Sequence, residues 1–201
     1  MEFREVVRRR RMVRDYDPYR PVPPEVRDRL LAHAVRAPSA GFSQGWGFLV
    51  LETAEERGRF WTATAPPPPA RPDRWLTRMR RAPLLVVALS HRDAYLDRYA
   101  EPDKGWTDRD EARWPVPYWD VDTGMAALLM LLTAVDEGLG ACFFGVPAER
   151  VDAFRAAFGV PEGHRPVGVV SVGYPGSDDR RSPSLRRGRR PLDEVVHRGR
   201  W

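Results

Sequence analysis

Between Pro23 and Ala37 the apolar positions Val26, Leu30, Leu31, Ala34 and Val35 recur every three to four residues, with charged residues between them. That period predicts an amphipathic helix, and Pro24 suits its first turn. Phe3, Val6 and Val7 draw the same kind of stripe over Glu2–Arg11 and predict a short helix there. Four apolar runs read as strands: Phe48–Glu52, Ala82–Ser90, Ala141–Gly145 and Pro166–Tyr174. The second of these, "APLLVVALS", shows no polar alternation, as expected of a strand buried on both faces. Shorter helices are predicted near Ala54–Thr62 and around Pro147–Phe158. Asp120–Gly138 is the most apolar helix, with Gly138 as its stop signal.

The stretches between are informative as breaks. "APPPPARP" (Ala65–Pro72) suits a polyproline-type surface loop and excludes helix or central strand. His91–Trp119 reads as polar and irregular, yet it holds Tyr95, Tyr99, Trp106, Trp114, Tyr118 and Trp119. No internal repeat and no linker interrupts the order. The expectation is a single domain over residues 1–201, of α+β class, with a central sheet covered by helices.

Composition changes this picture little. Hydrophobic residues make up 42% and charged residues 30% of 201 residues, as in an ordinary globular protein. The apolar run Met125–Val135 is too short for a bilayer span, which needs roughly 20 residues, so no membrane partner is expected. The start "MEFREVV" carries no apolar signal core, and a cytoplasmic location is the expectation. The net charge is +5, and Lys104 is the only lysine, so the basicity is almost entirely arginine.

Several familiar catalytic and phosphate-binding motifs are missing: no G-x-G-x-x-G, P-loop, C-x-x-C or H-E-x-x-H occurs. One cysteine, Cys142 in an apolar run, and four scattered histidines give no metal site. Two basic clusters remain, Arg8–Arg14 near one end and "SLRRGRRP" (Ser184–Pro191) near the other. They suit a nucleic-acid or anionic surface, a solvated face, or a clamp around one phosphate, for which arginine's planar fork is shaped. A third feature, "APSAGFSQGW" (Ala37–Trp46), is a Pro-Ser-Gly break after a helix. It leaves Ser39 and Gln44 free to hydrogen-bond a polar ring or polyol, or simply joins helix to strand.

Taken in order, these segments resemble the flavin-dependent nitroreductase family. Its R-R-S-x-R opening is matched by "RRMVR" (Arg10–Arg14), and its A-P-S-S-x-N-x-Q-P-W by "APSAGFSQGW". Its apolar helix running into G-L-G and a strand is matched by Asp122–Gly145, and its basic tail by "RGRRP" (Arg187–Pro191). The resemblance implies an α+β homodimer with swapped tails, a mostly antiparallel four- or five-stranded sheet, and FMN in two sites at the dimer interface. It implies that Arg10 and Arg14 bind the FMN phosphate from one side, beside Met12, and that Arg187 and Arg189 close from the other. Pro38, Ser39 and Ala40 would approach from the partner subunit, Phe42 and Gln44 would also belong to the cofactor site, and the backbone of Phe144 and Gly145 would lie near flavin N5.

Three departures stand out: Met12 replaces the family's Ser, Phe42 its Asn, and Gly45 its Pro. The implied activity needs no side-chain acid or base. NAD(P)H delivers hydride to FMN, and a flat acceptor such as a nitroaromatic or quinone then takes electrons in a ping-pong cycle. Phe42, Trp106, Trp114 and Tyr118 are candidates for the substrate pocket; the aromatic segment equally suits a core plug. The departures leave room for a relative with other flavin chemistry: flavin fragmentation, reductive dehalogenation, or O₂-dependent oxidation of a metabolite or peptide. A non-enzymatic Arg-rich nucleic-acid binder is the third alternative. It is disfavoured because the arginines sit at two chain ends rather than interleaved with aromatics.

Overall fold

The computed structural model describes residues 1–65 and 73–201, so the polyproline expectation for Ala65–Pro72 lies almost wholly outside the described residues. Four strands, β1 (Trp46–Leu51), β2 (Leu84–His91), β3 (Gly140–Phe144) and β4 (His164–Gly173), form one sheet in the order β1-β2-β4-β3 with every pairing antiparallel. The helices are α1 (Phe3–Arg9), α2 (Pro24–Ala34), α3 (Ala54–Thr64), α4 (Arg74–Met79), α5 (Arg92–Ala100), α6 (Tyr118–Asp136), α7 (Val151–Phe158) and α8 (Leu192–Val195).

The sheet is covered on both faces, and β2 shows why its sequence lacks alternation. Successive side chains on a strand point to opposite faces. Leu84, Val86 and Ala88 enter a core made with α2 and α6, through Val26, Leu30, Ala126 and Met130. Leu85, Val87 and Leu89 enter a second core with α3, α4 and α7, through Phe60, Trp61, Met79 and Phe154. The helix α6 ends in a Schellman motif: Gly138 takes φ 73°, a region open to glycine, and the Leu139 N–H reaches the Ala134 carbonyl at 2.7 Å.

Two expectations need correction. The segment from His91 is not irregular throughout, because its first nine residues after His91 form α5. Its apolar content is low, but Tyr95 and Leu96 are buried, and the ring of Tyr99 lies one turn further on. Over α1, only Val6 of the expected stripe is buried; Phe3 and Val7 face outward. On α6, Val121 and Leu128 are exposed, and with the half-buried Met125 and Leu132 they draw a partly uncovered apolar stripe at helical spacing.

Candidate active site

The segment after α1 runs beside β3 as a short parallel addition to the sheet. Met12 pairs with Ala141, and the Val13 N–H donates to the Ala141 carbonyl at 2.9 Å. This register turns Val13 and Tyr16 into the second core. The Tyr16 hydroxyl is tied to the Val13 carbonyl and to Ser171 Oγ, each at 2.8 Å. Burial pushes its pKa far above the ordinary tyrosine value. Met12, at the position of the family's serine, uses its sulfur as acceptor for the Phe143 N–H at 3.4 Å. It anchors the segment to the sheet.

Charge pairing sorts the arginines. Arg8 and Arg9 both bind Glu5, and their hydrogen bonds hold its carboxyl down to about 2. Arg11 pairs with Asp179, whose side chain is only 2% exposed and whose other oxygen takes the Arg14 N–H at 2.9 Å, so the solvated-face reading does not hold for it. The guanidinium groups of Arg10 and Arg14 have no carboxylate partner among the described residues. With Arg181 and Arg189 from the tail they line a cleft of about 800 Å³, which Arg8, Arg9 and Arg11, already paired with Glu5 or Asp179, also border together with Met12, Ser182 and Ser184. Arg10 and Arg14 are half-buried, and Arg181 and Arg189 stand exposed at the mouth. Four uncommitted forks around one cavity form a donor set suited to a phosphate monoester. Arg187 is not on the cleft wall. Arg181 and Asp179 carried no signal in the sequence beyond general tail charge.

Phe144 and Gly145 lie at the far end of β3, about 10 Å along the strand from the Met12 pairing. The Phe144 ring stacks on Trp61 at 5.6 Å, which turns its side chain into the second core. Gly145 is exposed, and a Cβ there would meet nothing within 4 Å, so the space against its backbone is open. Cys142 is buried and its thiol pKa is raised by that burial, as befits a structural residue.

Pro38–Gln44 lies apart from the arginine cleft, before β1. Ser39 Oγ accepts the Gln44 N–H at 3.0 Å, and the Ala40 N–H donates to Asp122. Gly41, Phe42 and Gln44 take φ of 61°, 57° and 51°. For a non-glycine residue this left-handed region costs roughly 1–2 kcal/mol. Phe42 is 75% exposed. Gly45 is explained by close packing: a Cβ would lie 2.5 Å from the Tyr95 ring and 2.7 Å from the His91 carbonyl.

The aromatic segment forms a cluster centred on Trp114, whose ring meets Tyr99 at 4.5 Å, Trp106 at 5.6 Å and Tyr118 at 5.7 Å. The space between Leu96, Tyr99, Trp106 and Trp114 has no room for water. Trp114 also borders a shallow outer cleft of about 330 Å³ with Trp119 and Arg165. Of the four candidate pocket residues, Phe42 and Tyr118 are exposed, and Trp106 and Trp114 are half-buried.

A family model described as the Nitroreductase family matches residues 7–174. The chain belongs to the Nitroreductase family. Among its curated relatives are two, each described as "Putative NADH dehydrogenase/NAD(P)H nitroreductase". The one from Methanothermobacter thermautotrophicus is 29% identical over 87% of this chain and 78% of its own length. The one from Archaeoglobus fulgidus is 27% identical over 100% of this chain and 99% of its own. A nitroreductase family protein from Clostridium difficile 630 superposes with a TM-score of 0.74 at 21% identity over all of both chains. A structure from Exiguobacterium sibiricum 255-15, described as a "putative nitroreductase in complex with FMN", superposes with a TM-score of 0.73 at 21% identity, over 98% of this chain and 97% of that one. These superpositions establish the nitroreductase-like α+β fold, with four antiparallel strands extended by the Met12 segment.

Proposed function

We propose that the protein is an FMN-dependent NAD(P)H oxidoreductase that reduces flat acceptors such as nitroaromatics or quinones, working as a homodimer. The observation that carries this reading is the cleft in which Arg10 and Arg14 meet Arg189 with no competing carboxylate. A phosphate dianion suits that donor set, because every other arginine at the N-terminal cluster is already bound to Glu5 or Asp179. Bound FMN supplies the redox chemistry, accepting hydride at N5 and passing electrons on.

The chain's own part is binding and exclusion. Arg10, Arg14 and Arg189 hold the phosphate end. The open backbone at Gly145 is the candidate donor to the ring. The Pro38–Gln44 turn, remote from its own cleft, is read as serving the second copy's site. The partly uncovered stripe of α6, with Val121 and Leu128 exposed, is read as the face that brings the two copies together.

Released cofactor identified by mass and by its flavin absorption spectrum, followed by anaerobic reduction with NADPH or NADH and reoxidation by menadione, tests the proposal. A colourless protein that takes up no added FMN refutes it. A second reading, a relative with other flavin chemistry, is favoured by the exposed Phe42 at a position where the family carries Asn. A protein that holds FMN yet is reduced by neither nicotinamide supports that second reading.

A further inference from the structure

Asp122 is a carboxylate within the most apolar helix of the chain, and it is almost fully buried. One of its oxygens, Oδ2, accepts both the Ala40 N–H and the Tyr95 hydroxyl, each at 2.8 Å. From α5, Arg98 Nε donates to the Gly41 carbonyl at 2.9 Å, and the Tyr99 ring fills the space against Gly41. Two helices therefore grip consecutive residues of one turn. That turn is left-handed at Gly41, Phe42 and Gln44, of which only the glycine adopts such a conformation freely. Strained backbone of this kind persists where its surroundings over-determine it. The outcome of the grip is that Phe42 is thrust outward instead of joining the Trp114 cluster beside it.

We propose that Asp122, seconded by Tyr95 and Arg98, is a positioning residue for the reaction. It holds the Ala40–Gln44 turn so that Phe42 and Gln44 stand at a fixed place over the substrate face of the second copy's flavin. The inference rests on the proposed function, in which this turn completes the site of the partner subunit. The chemistry it selects is a flat, apolar acceptor that lies against Phe42. A buried acid on α6 thus acts on acceptor binding through a turn more than eighty residues earlier in the chain.

The test uses the FMN-loaded protein with menadione as acceptor and NADPH or NADH as reductant. Tyr95→Phe keeps the ring that packs on Gly45 and removes only the hydroxyl. It is expected to raise the menadione KM at least five-fold while kcat falls less than two-fold. Asp122→Ala raises KM further. Asp122→Asn keeps an oxygen for both donors and restores KM to within two-fold of the parent. The double variant Phe42→Ala/Tyr95→Phe is no worse than Phe42→Ala alone, because Tyr95 acts through the turn. Should Asp122→Ala fail to fold, Tyr95→Phe and the double variant carry the test. Flavin-loaded, nicotinamide-reducible variants with unchanged KM, or with additive effects in the double variant, overturn the positioning role alone. A parent protein that binds no flavin overturns the proposed function and this inference with it.

Discussion

Replacing arginines one at a time separates ligand contacts from structural pairs within a single run of charge. Arg14 has no carboxylate partner for its guanidinium and faces the 800 Å³ cleft. A hydrogen bond to a charged group contributes about 1.5–3 kcal/mol. Arg14→Ala is therefore expected to weaken FMN binding about 10- to 150-fold, with little change in the melting temperature of the flavin-free protein. Arg8 borders the same cleft, but its guanidinium is already bound to Glu5, so Arg8→Ala is expected to change the FMN Kd less than three-fold. Arg11→Ala behaves in a third way. It leaves Asp179, 2% exposed, without its counter-charge. Stripping one partner from a buried pair costs about 3–5 kcal/mol, and the low end applies because the Arg14 N–H still holds one oxygen. For a chain of this size that is a fall in melting temperature of roughly 6–12 °C. Fluorescence titration of the flavin-free protein with FMN gives the Kd, and thermal unfolding of the same samples gives the stability. Equal losses of affinity in Arg8→Ala and Arg14→Ala refute the sorting, as does an Arg11→Ala protein that melts like the parent.

Three further outcomes follow from the packing. Gly45→Ala places a methyl 2.5 Å from the Tyr95 ring and 2.7 Å from a backbone carbonyl; overpacking of this kind costs about 1–3 kcal/mol, to be read in urea unfolding, and an unaffected midpoint contradicts it. The His164 ring stacks on His91 at 4.3 Å, and burial, then His91 and Arg155, hold its pKa below 6.5. The unfolded chain takes up that proton near pH 6.5 while the folded one resists, so stability is full above pH 6.5 and declines as pH falls below it. His164→Gln should flatten the melting-temperature profile between pH 7 and 5, and an unchanged slope rejects the assignment. Leu128→Glu, on the partly uncovered stripe of α6, is expected to convert a dimer to a monomer in sedimentation and to lower FMN retention; a variant that stays dimeric removes that face from the interface.

The legible parts of the fold were those where a local pattern met a local cause. The run from Leu84 to Leu89 declares a two-faced strand, because each of its residues serves one of two cores. Gly138 declares a helix end, because the next residue must close back on Ala134. Helix α5 was hidden because its burial is carried by just Tyr95 and Leu96 among charges. At the site, Arg10, Arg14 and Arg189 could be nominated from a family pattern, since residue type and spacing survive in sequence. Asp179 and Arg181 could not, because their roles come from contacts across some 165 residues of chain. Asp122 left one trace, an acid embedded in an otherwise apolar helical run. Met12 looked like a lost contact, and in the fold it is an anchor to β3.

The arginine cleft is closed by the two ends of the chain: residues 10–14 form one wall and residues 181–189 the other. No part of the sequence between them can hold that pocket together on its own. During synthesis the sheet strands β1 and β2 have emerged long before the second wall exists, and the first wall waits, its positive charges opposed only by Glu5 until Asp179 arrives. Contacts so distant in sequence are the slowest to form. The ligand of this cleft is thus a late arrival, held only once residues 181–189 have been made, and its capture ties the two walls together. Anything that fills the pocket binds the folded state at its least local seam, and so adds to the stability of the fold in proportion to the logarithm of its concentration.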